Sequence, residues 1–179
     1  MRWLPQSVTQ ADYVVNLAHL KGHYYAGVTL TAKNHFGSTW VESGARFWPG
    51  EQIHPFINAY EWTSGPPWLN APARPMGTYN PLVELMGHRD LGEKTVLFMV
   101  DGLYAPVHQS ASMEDSPPWQ SAPFNGDWTS SVFASQDEVA VDSVCLDFLR
   151  SEPTQTYVAD DGNHSTVDDY LHEAARADN

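Results

Sequence analysis

The sequence predicts one α/β domain over residues 1–179, with a mainly parallel sheet flanked by helices and two long Trp/Pro-rich loops. Three observations carry that prediction. Strand-like apolar runs alternate with helical periodicity, the helical stretches carry cap residues, and the runs with neither period are crowded with Gly, Pro and Trp.

Taken in order, Ala11 to Leu20 holds a β-rich centre and reads as a buried strand that gives way to a loop at Lys21-Gly22. Apolar spacing from Gly27 to Phe36 predicts a short helix, with Gly37 as its stop. Ser38 to Thr78 is the first long loop, far beyond an ordinary connection, and such loops often carry binding residues. Asn80 to His88 reads as a helix capped by Asn80, with Pro81 at its first position and Gly87 near its end. Lys94 to Val100 is a buried strand ending in Asp101-Gly102.

The second long loop runs from Ala105 to Thr129, before a short strand at Ser131 to Ala134. Ser135 and Glu138 fit a capping box. Behind them Val141, Val144, Cys145, Phe148 and Leu149 form a helical apolar stripe. Asp168 to Ala177 predicts a last amphipathic helix, after an acidic loop at Asp160 to Asn163. Three strands are few for an open α/β sheet, so the chain is read as a fragment of a larger domain.

A formal charge of −13 with only nine Lys and Arg excludes binding to a phosphate backbone. The acidity is concentrated late: from Asp137 onward stand 11 of the 22 acidic residues against Arg150 and Arg176. A single cysteine, Cys145, rules out an internal disulfide and reads as a small buried thiol. No apolar run is long enough to span a membrane, and Met1 leads into Arg2-Trp3-Leu4-Pro5 without a signal-peptide core, so a soluble protein, cytoplasmic by default, is expected.

Ligands of open α/β sheets gather beyond the carboxyl ends of the strands. That rule selects Lys21 to His23, Asp101, and Ser135 to Asp137. His23 suits general acid/base work and Lys33, ten residues on in an apolar stretch, suits a desolvated nucleophile or anion clamp. Asn34 and His35 are expected to orient groups beside them, with Asp101 closing the site as a third catalytic group. Asp137, Asp142 and Trp128 are further candidates for facing a ligand, although Asp137 is equally explained by a helix N-terminus. His35, His54 and His88 are the candidate ligands of a divalent metal, without the spacing of a zinc helix. The loop tryptophans Trp48, Trp62, Trp68, Trp119 and Trp128 support a different class, a non-catalytic module that offers indole faces to a carbohydrate or a protein.

Four stretches together, LKGHYYAGVTLTAKNHFGS, KTVLFMVDGLYA, FNGDWTSSVFASQDEVAVDSVCLDFL and DDYLHEAARADN, resemble the bacterial domain of unknown function 362 family from about Leu4 to Asn179. The resemblance implies the α/β fold and an N-terminal segment missing from this chain; some members carry iron-sulfur segments and others look exported. HYYAGVTLTAK is also similar to the lactate racemase motif, which implies His23 as the proton-transfer residue and Lys33 as the anchor of a nickel-pincer cofactor. The chain differs from that motif at Thr29, Leu30 and Thr31, where the racemases have small residues. The expected function is acid/base chemistry, isomerase/racemase-like or oxidoreductase-like, on a small hydroxy acid or sugar-like substrate.

Overall fold

The computed structural model describes residues 2–41, 54–59, 72–158 and 166–176. Its centre is a three-stranded sheet of β2 (Val14–His19), β6 (Thr95–Gly102) and β7 (Ser131–Ser135), in the order β2-β6-β7. Two two-stranded pieces lie apart from it: β1 (Arg2–Trp3) with β5 (Trp40–Val41), and β3 (Lys21–His23) with β4 (Gly27–Thr29). The helices are α1 (Gln6–Thr9), α2 (Thr31–Phe36), α3 (Pro81–Met86), α4 (Glu138–Arg150) and α5 (Asp169–Ala174).

The α/β class is confirmed, with a correction to the sheet. β2 and β6 are parallel, but β7 runs antiparallel to β6, so the sheet is mixed. The physical reason lies in the connection. β2 reaches β6 through the helices α2 and α3, as a parallel crossover demands, whereas the second loop from β6 to β7 contains no helix and simply returns the chain. That loop has no regular element beyond a single bridge between Trp119 and Asp127. The first loop, together with Trp48, Trp62 and Trp68, lies largely outside the described residues.

Helices cover one face of the sheet. Ala18, Phe98 and Val100 point to that face and join Leu146, Leu149 and Cys145 of α4 in the core. The opposite face carries Val15 beside Leu97, and Leu17 beside Met99 and Ala134, in register. Val15 is 57% exposed and Leu17 60%.

Local chemistry explains most boundaries. Asn80 accepts from the Leu82 amide at 3.0 Å and Pro81 occupies the first turn of α3, as the cap pattern requires. At α4 the cap is Asp137, which accepts from Ala140 N at 2.9 Å, and not Ser135, whose hydroxyl accepts from Asp137 N. The predicted helix from Gly27 starts later, at Thr31, because Gly27 to Thr29 pair with β3 as a hairpin. Gly27 has φ +75°, a conformation that favours glycine, and a Cβ there would run into Val167.

The N-terminus of α2 is capped from a distance. Leu30 offers no side-chain cap; instead the buried carboxylate of Asp142 on α4 accepts from Thr31 N at 2.8 Å, Thr31 Oγ1 at 2.6 Å and Ala32 N at 3.1 Å. Tyr170 of α5 donates a further bond at 3.0 Å. Burial pushes the Asp142 carboxyl up to about 6, against the pull of these donors. Asp142 therefore holds three helices together, both its oxygens taken up by protein donors. Cys145 is buried beside it, and desolvation raises its thiol to about 12, consistent with a structural cysteine.

Candidate active site

His23 ends β3 and is buried. The hairpin turn fixes its ring: Nδ1 accepts from the backbone N–H groups of Tyr25 at 3.1 Å and Ala26 at 3.3 Å. In the neutral imidazole the proton therefore sits on Nε2.

The ring of His54 stacks on His23, with centroids 5.5 Å apart and planes 17° from parallel. It also leans on Tyr25 at 5.3 Å and meets Phe36 edge-on at 5.8 Å. Neither nitrogen of His54 has a hydrogen-bond partner among the described residues. Phe36 and Lys33 are three apart on α2 and share a face. Lys33 is half-buried there, and no carboxylate among the described residues forms an ion pair with it.

Electrostatics tie the three groups into one site. Burial brings the Lys33 ammonium down to about 8, with Lys21 adding to the shift. Burial and then Lys33 lower His54 to about 4. His23 is held well below the usual imidazole range by burial first, then by Lys33, His54, Lys21 and His108. Every one of these neighbours is basic. At pH 7 both imidazoles are neutral and Lys33 is the charged group, within reach of neutrality.

Two residues singled out in the sequence, His23 and Lys33, share these surroundings. The Lys33 charge lies near enough to lower both His23 and His54, and His54 stacks on His23. The other candidates sit elsewhere. Asp101 lies beside His19 in register at the end of β6, and its Oδ1 accepts from Leu103 N at 3.0 Å. Asn34 donates to Asn16 Oδ1 at 2.7 Å and to the Leu17 carbonyl at 3.1 Å, on the sheet side of α2. His35 is on that side too, with Nε2 3.0 Å from Asn16 Nδ2. Asp137 is the α4 cap, and Trp128 packs edge-on against Tyr104.

His35, His54 and His88 do not converge. His88 is exposed and accepts from Asp90 N, and no trio of His, Cys, Asp or Glu among the described residues has a metal-holding arrangement. The nickel-pincer cofactor does not fit α2 either. Leu30 and Thr31 are wholly buried, and the first amides of the helix are already taken by Asp142. Trp119 is 0% exposed, packed on Phe124 and Phe148, and so offers no face to a sugar.

Two more basic groups stand close by. His108 is 2.9 Å from the Tyr24 hydroxyl, their rings stacked at 4.2 Å. Lys21 supplies a second positive charge. Only the fold links a hairpin at residues 21–29 to a loop some 80 residues away.

The model of the family described as Domain of unknown function (DUF362) matches residues 1–147. The chain belongs to this family. Neither the curated proteins nor the solved structures contain a match. The DUF362 match spans the hairpin, α2 and β6, and therefore every residue of the His23–His54–Lys33 cluster. No helix among the described residues is long and apolar enough to cross a membrane.

Proposed function

We propose that this DUF362 chain is an enzyme that binds a small carboxylate-bearing molecule, such as a hydroxy acid or sugar acid, at the His23–His54–Lys33 cluster and moves a proton there. The observation that carries the reading is Lys33, a half-buried ammonium set beside two imidazoles with no carboxylate paired to it among the described residues. A buried charge without a partner is costly, and an incoming carboxylate would supply the missing one.

The roles follow from the protonation states. Lys33, at about 8, is close enough to neutrality to give and take a proton at ordinary pH. His23 keeps its Nδ1 occupied by backbone N–H groups and presents Nε2–H as a donor to a carbonyl or carboxylate oxygen. His54 covers the His23 ring and, being neutral, adds no competing charge. The chemistry is an isomerase-like proton transfer in which no step passes through a metal or a nickel cofactor. Asp101, Asn34, His35, Trp128 and Asp137 take no part in it.

The test is a melting-temperature panel of hydroxy acids and sugar acids against the matching neutral polyols. Acids should stabilise the natural protein, and His23→Ala and Lys33→Met should each abolish that response. Equal responses to acids and polyols, or an acid response that survives in both variants, would remove the proposal.

A further inference from the structure

The lysines of the chain are Lys21, Lys33 and Lys94, set against 22 acidic residues. Lys94 is paired with Asp90 at 3.1 Å. Lys21 and Lys33 are half-buried, yet neither makes an ion pair among the described residues. In a protein of formal charge −13, two lysines left without a carboxylate reverse the overall field locally.

The hairpin fixes where Lys21 points. Lys21 and His23 are two apart on β3 and so share one face of it. Gly22 takes the other face, packed so closely on the Val107 backbone that a Cβ there would lie 2.1 Å from the carbonyl oxygen, with Tyr157 next to it. No side chain can enter on that side, so the strand cannot turn over. Across the hairpin Lys21 stands in register with Thr29, and His23 with Gly27, neither of them acidic.

The charges agree with this placement. Burial lowers Lys21, and no carboxylate offsets it. Its ammonium in turn lowers both His23 and Lys33, so the three groups share one electrostatic environment. Asp101 acts on His19, its register partner, and not on Lys21. A single incoming carboxylate, matched to Lys33, leaves the Lys21 ammonium without a partner.

Resting on the carboxylate site proposed above, we infer that its substrate is a small dicarboxylic acid, one carboxylate meeting Lys33 and the other meeting Lys21 along the His23 face of the hairpin. His23 and Lys33 hold the end where the proton moves, and Lys21 selects for charge at the far end. A hydroxy diacid or sugar diacid has this chemistry, whereas a monoacid leaves Lys21 bare.

Dissociation constants from ligand-observed NMR on the full chain test it, with tartrate against threonate and glucarate against gluconate. Within each pair the carbon chain is the same length and only the second carboxylate differs. At least one diacid should bind about tenfold or more tightly than its monoacid. Lys21→Met should bring that diacid down to its monoacid while leaving the monoacid within about twofold. Lys21→Arg, which keeps the charge, should keep the preference, and Lys21→Gln replaces the methionine variant if that one fails to fold. Equal affinities in both pairs, or a preference that survives loss of the Lys21 charge, overturns the inference and leaves the carboxylate site standing. Acids that do not bind the natural protein at all overturn both.

Discussion

On its sheet side, α2 sets Thr31, Asn34 and His35 against Asp142 and Asn16, and polar groups there find partners at 2.6–3.1 Å. On the other side the same helix sets Lys33 beside His54 and His23, where Lys33 has no ion pair among the described residues and His54 has no hydrogen bond. Asn34 apart, the residues on both sides are buried or half-buried, and both sides hold a histidine. The difference is saturation. A satisfied polar network fixes a helix in place, whereas groups buried without partners cost stability and are retained where something else needs them.

That contrast can be broken most forcefully at Asp142. Asp142→Ala orphans the amides of Thr31 and Ala32 and the Tyr170 hydroxyl, and should cost about 3–5 kcal/mol in urea unfolding. A loss below about 1 kcal/mol would mean that the cap is not what holds α2. The opposite sign is expected across the helix. Lys33 has its proton affinity lowered from 10.5 to about 8 by folding, so between those values the unfolded chain binds more protons and stability rises with pH. At pH 7 the ammonium costs the fold up to about 3 kcal/mol, and Lys33→Met should recover much of it. The gain should vanish near pH 11, where both states are neutral; a destabilised variant at pH 7 would show that Lys33 is a structural residue. The smallest effect is at the edge of the satisfied network. Asn34→Ala removes two donated bonds from a solvent-facing position and should cost about 1 kcal/mol, leaving acid-induced melting shifts unchanged.

The sequence made the central strands and the α3 cap legible because each is a local signal: a run of apolar residues, or an Asn-Pro pair. It also singled out His23 and Lys33, which only a loop followed by a helix returning toward the strand end could bring to one site. The hairpin between them was not visible, because three-residue strands are too short to show a period. Asp142 was missed as a cap for a different reason. The ordinary cap lies beside its helix in sequence, and this one is 111 residues from Thr31. His35 and Asn34 were assigned to the site by proximity along the chain, but helical geometry turns neighbours of Lys33 to the other side.

The contact between Gly27 and Val167 has a practical corollary for anyone dissecting the molecule. The DUF362 match stops at residue 147, yet the turn after His23 rests on a valine twenty residues further on, and the Asp142 carboxylate is gripped by Tyr170. A truncation at the boundary of the match would sever α4 before its last turn and strip the back wall from the hairpin. Activity lost in such a piece would report a collapsed scaffold, and say nothing about which side chains do chemistry.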